Sequence, residues 1–198
     1  MGNKFNLYIK QKKQGFKLKN LVYSLLVCFL AAFSLNCVGC GISSSNASND
    51  TDKYEEAAGK VTNEEFSEGK YTGDIRDGKR EGNGKFVFTN GDIYDGEWKN
   101  DMINGEGAFS YANGNKYNGN YVDGVRSGTG TFIWKSTGDK YVGEWKLDAM
   151  EGNGTYTFSS GDEYQGQFSD NKMSGTGSYT CKDGKIIQGQ WKDNKLVQ

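Results

Sequence analysis

The feature that most constrains the fold is a 23-residue repeat that begins at Tyr71 and continues to the end of the sequence. Each unit opens with an aromatic-x-Gly motif, at Tyr71, Tyr94, Tyr117, Tyr141 and Tyr164, with Ile187 in the same place in a partial sixth unit. One interval is 24 residues long because "WKSTGD" holds one additional residue. A fixed period of this length indicates a repeat architecture in which each unit packs mainly on its neighbours.

Aromatic and glycine residues also define the rest of each unit. A second aromatic follows the first by four residues, then come a Gly-x-Gly such as Gly105/Gly107 and an aromatic-x-aromatic such as Phe109/Tyr111. All 19 aromatic residues between Tyr71 and Gln198 occupy these positions. The spacing of two inside each motif is the period of a β-strand and not of a helix.

A glycine between the alternating runs indicates a turn, so each unit is predicted to be a β-hairpin. The predicted turn glycines are Gly91, Gly114, Gly138, Gly161 and Gly184. A turn centred on Gly91 would place Phe88 near Tyr94, Phe86 opposite Gly96 and Gly84 opposite Trp98, so that rings cover glycines across the strand pair.

The segments after the second aromatic, such as "KNDMIN", are interpreted as polar connectors between hairpins. Met102, Met150 and Met173 recur there together with Val125, and we expect them to seal the gap between successive units. The predicted fold is all-β: an elongated, twisted antiparallel sheet of tandem hairpins with one aromatic and one polar face. Because a single-layer sheet has nothing behind it, we expect curling, a partner or a second copy to cover the rings.

This arrangement, Y-x-G-x-W followed by G-x-G and aromatic-x-aromatic, closely resembles the MORN (membrane occupation and recognition nexus) repeat family. The resemblance covers 71–198 as five full units and a partial sixth. The departures are Ile75, Cys181 and Ile187, which lie in the terminal units, where repeat arrays are usually atypical. The resemblance implies an interaction module, since the family has been linked to phospholipid headgroups and to protein scaffolding or dimerisation.

The N-terminal 40 residues are predicted to direct the chain to a membrane. Residues 1–20 form a basic segment with six lysines, and 21–40 form an apolar signal peptide or membrane anchor. The stretch Cys37-Val38-Gly39-Cys40 resembles a bacterial lipobox, which would make Cys40 the lipidated and cleaved position. An uncleaved signal-anchor helix and conventional signal cleavage are the alternatives. In the first two cases the repeats are anchored on the extracytoplasmic face.

Residues 41–70 are predicted to be a flexible acidic tether, because they carry seven acidic residues against three lysines and little apolar content. One weak helical turn is expected in "NEEFSEGK" within this segment.

The sequence argues against catalysis, cofactors and metals. It contains no histidine, which is the commonest general base near neutral pH and a common metal ligand. No helix start follows the Gly-x-Gly pairs, so they are not phosphate cradles. Asp92, Asp139 and Asp162 recur once per hairpin, as turn residues do, and are not expected to converge on a metal.

The predicted function is therefore a non-catalytic, membrane-tethered scaffold that binds protein, including a second copy of itself, through its aromatic face. The alternative is a phospholipid- or glycan-binding module. Residues 71–198 carry 15 basic and 18 acidic residues, interspersed, which disfavours both anionic lipid and nucleic acid. The same rings could instead form only the core of the sheet. The candidate binding face consists of Tyr94, Trp98, Tyr117, Tyr121, Trp134, Tyr141, Trp145, Tyr164, Phe168 and Trp191.

Overall fold

The computed structural model describes residues 58–197, which form one open antiparallel sheet of thirteen strands paired in sequence order. The strands are β1 Ala58–Phe66, β2 Gly69–Arg76, β3 Lys79–Phe88, β4 Ile93–Lys99, β5 Met102–Ser110, β6 Lys116–Val122, β7 Val125–Ile133, β8 Lys140–Lys146, β9 Ala149–Thr157, β10 Glu163–Ser169, β11 Lys172–Thr180, β12 Ile186–Lys192 and β13 Lys195–Leu196. The predicted all-β sheet of tandem hairpins is confirmed. The basic segment 1–20, the signal or anchor 21–40 with Cys40, and the first part of the tether lie outside the described residues. Within residues 58–197 no helix is long and apolar enough to span a membrane.

Tight two-residue turns join each even-numbered strand from β2 to β12 to the strand that follows. In the β6–β7 turn, Asp123 has a φ of 49° and Gly124 a φ of 78°, the pair of positive values that matches the twist of a hairpin. The other five turns are Asp77–Gly78, Asn100–Asp101, Leu147–Asp148, Asp170–Asn171 and Asp193–Asn194. Asp, Asn and Gly tolerate this conformation, which explains the polar composition of these segments. The interpretation of "KNDMIN" as a polar connector holds only for Asn100 and Asp101, because Lys99 ends β4 and Met102 begins β5.

Longer connections hold the predicted turn glycines, Gly91, Gly114, Gly138, Gly161 and Gly184, whose φ values lie between 81° and 92°. In the first of them, the amide of Phe88 donates to the carbonyl of Asp92 at 2.9 Å. The resulting register pairs Phe86 with Tyr94, Gly84 with Gly96, and Gly82 with Trp98. The predicted register is wrong by two residues, because the pairing is centred on Asn90, one residue before the glycine on which the prediction centred the turn.

The first glycine of each Gly-x-Gly lies beside a break in the strand register. Gly105 has a φ of 79°, and the pairing of β4 with β5 shifts between Gly96 and Trp98, as in a β-bulge. The carboxylate of Glu97 accepts the amide of Glu106 at 3.1 Å and so satisfies a donor that the bulge frees.

The core lies on one face of the single sheet, where tyrosine rings rest directly on glycines. Gly96 and Gly107 are paired across β4 and β5, and the Tyr94 ring lies over both. The Tyr94 hydroxyl donates to the carbonyl of Glu97 at 2.9 Å, and the side chain is fully buried. Of the covers expected for these rings, a partner or a second copy is not needed for the tyrosines: glycines leave room for each tyrosine, and neighbouring rings close over it.

Part of the predicted tether belongs to the sheet. Residues 58–70 include β1 and the start of β2, so neither a flexible tether nor a helical turn is present there. The Phe66 ring packs 6.4 Å from Tyr71 and 6.1 Å from Phe86, between ring centroids. Most other side chains of β1 are exposed. This strand is held by backbone pairing and by Phe66. Because its composition is otherwise polar, it was not recognised as a strand from the sequence.

Candidate functional site: the aromatic face

A first ladder of rings runs through the core. In it, the tyrosine that opens a repeat unit contacts the aromatic four residues after it and the corresponding aromatic of the next unit, and we call these the second-position aromatics. The Tyr94 centroid lies 5.3 Å from Trp98 in its own unit and 5.6 Å from Tyr121 in the next, both edge to face. The same contacts join Tyr117 to Tyr121 and Trp145, and they continue to Trp191. Such pairs prefer edge-to-face geometry, so the ladder fixes each ring.

The polar atoms of the second-position rings are satisfied by backbone carbonyls, with one exception. The indole N–H groups of Trp98, Trp145 and Trp191 donate to the carbonyls of Gly84, Gly130 and Gly177 at 2.9, 3.2 and 3.1 Å. Tyr121 occupies the equivalent place, and its buried hydroxyl has no hydrogen-bond partner among residues 58–197. Burial also raises the pKa of this hydroxyl, which stays protonated.

A second ladder of rings lies beside the first, nearer the long connections. Phe88 lies 5.8 Å from Phe109, Trp134 lies 5.4 Å from Tyr156, and Phe158 lies 5.7 Å from Tyr179, so adjacent units are joined. Seven rings next to the core are only partly buried, and we call them the aromatic stripe: Phe66, Phe88, Phe109, Tyr111, Trp134, Phe158 and Tyr179. This stripe is the part of the aromatic face that a partner can touch.

The candidate binding residues fall mostly in the core. Tyr94, Trp98, Tyr117, Tyr121, Tyr141, Trp145, Tyr164, Phe168 and Trp191 are no more than 9% exposed. Of the ten candidates, only Trp134 lies in the aromatic stripe. The sequence marks which positions are aromatic, but not which rings rest on glycines. The sequence feature that would have pointed to the exposed rings is the second member of the aromatic-x-aromatic pair, which lies beside the long connection.

Two arginines complete the tight-turn side of the aromatic face. The guanidinium of Arg126 lies 4.3 Å from the Trp145 centroid and 2.9 Å from the Asp148 carboxylate. Arg80 repeats this arrangement over Trp98, at 4.5 Å, with Asp101. Cation–π and ionic contacts thus hold each arginine in place.

One position in each unit lies two residues before the first glycine of the Gly-x-Gly, where the β-bulge is. This position holds Arg80 and Arg126 in these two units, Ile103 in a third, and Met150 and Met173 in the other two. Met150 is 2% exposed and packs in the core, whereas Met102 is 45% exposed. The predicted grouping of Met102 and Val125 with the other methionines is therefore wrong by one residue. Arginine, isoleucine and methionine share the position because each covers the neighbouring rings with an apolar stem or side chain.

The recurring carboxylates at the long connections are hydrogen-bond acceptors. Asp92, Asp139 and Asp162 accept the backbone amides of Ala112, Ser159 and Lys182 at 2.7, 2.8 and 2.9 Å, which ties each connection to the next. The Lys182 amide and the Ser160 hydroxyl hold the pKa of Asp162 below its ordinary value. No cluster of three or more metal-ligating side chains occurs within residues 58–197.

Tyrosine hydroxyls on this face are protonated at neutral pH. Desolvation is the main cause that raises the pKa of Tyr71 to about 12 and that of Tyr179 to about 12. The pKa of Tyr94 and of Tyr164 is raised by the same cause. The tyrosines of this face therefore carry no charge. The charged groups at its border are the two arginine–aspartate pairs and the carboxylates of Asp139 and Asp162, which accept the hydroxyls of Tyr156 and Tyr179.

Comparison with known proteins identifies the repeat. The family model described as MORN repeat matches residues 71–93, 94–116, 117–138, 141–163 and 164–186, more than half of the chain. A search of curated proteins finds no match.

Similar solved structures include two of the Drosophila melanogaster protein Sas-4. One is the SAS-4 (dCPAP) TCP domain in complex with a proline-rich motif of Ana2 (dSTIL), with 11% identity, a TM-score of 0.33, and coverage of 77% of this chain and 86% of that one. The other is the TCP10c domain of Sas-4, with 15% identity, a TM-score of 0.30, and coverage of 55% and 86%.

Proposed function

Because the chain belongs to the MORN repeat family, we propose that it is a non-catalytic scaffold that binds a protein partner along the aromatic stripe. MORN repeats suggest a protein-interaction or membrane-binding module. The single observation that carries the proposal is the row of seven partly buried rings beside the closed core of this face. Partly exposed aromatic rings in a row form an adhesive surface, and Trp and Tyr dominate the affinity of many protein interfaces.

The stripe is preorganised for binding. Trp134 packs between Phe132, at 4.5 Å, and Tyr156, at 5.4 Å, while Phe158 packs between Tyr156 and Tyr179. A ring that is already fixed loses little conformational freedom when a partner covers it, so less of the contact free energy is lost to ordering.

A protein partner fits this surface better than an anionic bilayer does. Lipid headgroups attract clustered lysines and arginines, whereas both stacked arginines of the aromatic face are already paired with Asp101 and Asp148. The apolar residues of the opposite face, such as Val87, Ile133 and Val142, are exposed singly among polar side chains. They form no comparable row.

Face-specific photo-crosslinking in the native cell tests the proposal. A photoreactive amino acid at Trp134 of the full chain is expected to yield a protein adduct, whereas the same amino acid at Val142, on the opposite face, is the matched control. Lipid or glycan adducts at Trp134, or equal protein adducts at both positions, would contradict the proposal.

The attachment to a membrane rests on the N-terminal segment. Its lysine-rich start, its apolar stretch 21–40 and the lipobox-like Cys40 support a lipid-anchored protein on the extracytoplasmic face. Substitution Cys40→Ala is expected to abolish lipid labelling and membrane retention. If the variant still fractionates with the membrane, an uncleaved helix is the anchor and the lipobox assignment is wrong.

A further inference from the structure

Both edges of the described sheet offer unpaired backbone. No strand of residues 58–197 lies on the outer edge of β1. At the other end, β13 pairs only with Trp191 and Lys192, so five residues of β12, from Ile186 to Gln190, are paired with β11 on one side but have no strand on their outer edge. Exposed edge strands are templates for pairing with another strand.

The uncovered part of β12 presents hydrogen-bonding groups and apolar surface. The Gln190 carbonyl accepts the Val197 amide at 2.8 Å, so it points to the open edge. Because backbone groups alternate along a strand, those of Gln188 and Ile186 point the same way. The Ile186 side chain at the start of β12 is 60% exposed, and Leu196 and Val197 are exposed at the other end of this strand.

The two edges carry opposite charge. Residues 58–68 hold one lysine and three glutamates, a net charge of −2, and residues 181–197 hold four lysines and two aspartates, a net charge of +2. Like charges oppose the pairing of β1 with another β1, or of β12 with another β12. Opposite charges favour the pairing of one edge with the other.

We propose that β1 of one copy pairs with the uncovered part of β12 of a second copy, so that sheets join head to tail. Odd and even strands run in opposite directions in this sheet, so joining two copies with their aromatic faces on one side makes β1 and β12 antiparallel. The end of β1 and the start of β12 both lie beside long connections, since the Thr89 amide donates to the Glu68 carbonyl.

This arrangement places Glu64 and Glu68 of one copy near Lys182 and Lys185 of the other. The charges at the far end of β1 interfere little, because Lys60 is paired with Asp74 at 3.5 Å. The contact is heterologous, with different surfaces on the two sides, so it leaves both outer edges free and yields open chains instead of closed dimers. With about five residue pairs in the ladder we expect weak association that depends on the local concentration of the protein.

Zero-length carbodiimide crosslinking of the full chain tests the proposal. Equal amounts of ¹⁴N and ¹⁵N protein are mixed in detergent, and peptides that join a β1 glutamate to Lys182 or Lys185 are sought. The two edges of one copy are separated by eleven strand spacings, roughly 50 Å along the sheet. We therefore expect these crosslinks to join ¹⁴N to ¹⁵N peptides. Crosslinks confined to single copies, or their absence, would overturn the proposal.

Charge reversal supplies the specificity control. The E64K/E68K variant and the K182E/K185E variant should each associate about tenfold more weakly at low ionic strength, with the difference shrinking in high salt. Association is measured here by sedimentation velocity of the full chain in detergent, because these substitutions remove the groups that carbodiimide joins. Mixing the two variants should restore association, because each reversed edge then meets a complementary edge. The K116E/K140E control, on interior strands β6 and β8, makes the same net change in charge as K182E/K185E and should associate as the wild type does. Equal losses in this control, or no rescue on mixing, would overturn the head-to-tail pairing.

The proposal is independent of partner binding along the stripe. A variant with serine at Trp134 and Phe158 should crosslink head to tail as the wild type does, even if it no longer binds the partner. Loss of crosslinking in this variant would mean that copies associate through their aromatic faces and would overturn the edge pairing.

Discussion

Substitution of Gly107 by alanine tests the tyrosine-on-glycine packing that holds the sheet together. A Cβ built at Gly107 would lie 2.3 Å from the Tyr94 hydroxyl oxygen, 2.5 Å from Cε2 and 2.6 Å from Cζ. Carbon atoms do not approach this closely, so the Tyr94 ring must leave its place. The ring is fully buried, and its displacement also breaks the hydroxyl bond to Glu97 and the contacts with Trp98 and Tyr121.

The cost can be estimated from those losses. Exposing a large side chain costs about 1.5–3 kcal/mol, and the hydrogen bond contributes about 1 kcal/mol. Alanine recovers about 0.5–1 kcal/mol, because it restricts the unfolded chain more than glycine does. We therefore expect Gly107→Ala to lower the free energy of unfolding by about 1.5–3.5 kcal/mol, as measured by urea denaturation of the full chain.

Two controls make this reasoning refutable. A Cβ at Gly59, in β1, would meet no atom within 4 Å, so Gly59→Ala should not destabilise the fold and should gain up to about 1 kcal/mol from the restricted unfolded chain. In a Tyr94→Ala background, Gly107→Ala should cost far less than it does alone, because the clashing ring is gone. If Gly107→Ala costs the same in both backgrounds, the ring does not rest on this glycine and the packing account is wrong.

Three further predictions concern single features of the sheet. Leu147 is 71% exposed and has a φ of 50°, and the equivalent residues of the other tight turns are Asp or Asn. Leu147→Asn should therefore raise the melting temperature by relieving about 1 kcal/mol of backbone strain. An unchanged or lower melting temperature would contradict this. Tyr121→Phe should stabilise the fold by about 1 kcal/mol in urea, since it removes a buried hydroxyl without a partner, and destabilisation would show that this hydroxyl is bonded. Burial raises the pKa values of the tyrosines in the folded protein, that of Tyr71 to about 12. Above pH 10 the unfolded chain therefore loses its tyrosine protons before the folded protein does. The free energy of unfolding should fall steeply from there, by up to about 1.4 kcal/mol per pH unit for each tyrosine. Tyrosinate absorbance near 295 nm should therefore rise together with unfolding, and gradual ionisation of the folded protein would refute this.

The strand pattern could be predicted from the sequence because aromatic and glycine positions repeat with a spacing of two, which only a strand satisfies. The register could not, because a glycine such as Gly91 marks a turn without showing on which residue the turn is centred. Strand β1 was missed because its exposed side chains are polar and backbone pairing holds it in place. The binding surface was placed on the wrong rings for a related reason. Tyr94 and Trp134 look alike as repeat aromatics, but only Tyr94 has a glycine pair beneath it, and that pairing depends on the register.

The most direct test of the proposed scaffold is the affinity of the partner identified by crosslinking at Trp134, measured for two matched variants of the full chain. One carries serine at Trp134 and Phe158, in the aromatic stripe, and the other carries serine at Ile133 and Val142, on the opposite face. Thermal melting checks that both remain folded. The account predicts at least about tenfold weaker binding for the first variant, since aromatic anchors dominate interfaces, and unchanged binding for the second. Equal affinities for the two variants, or a loss confined to the second, would contradict it.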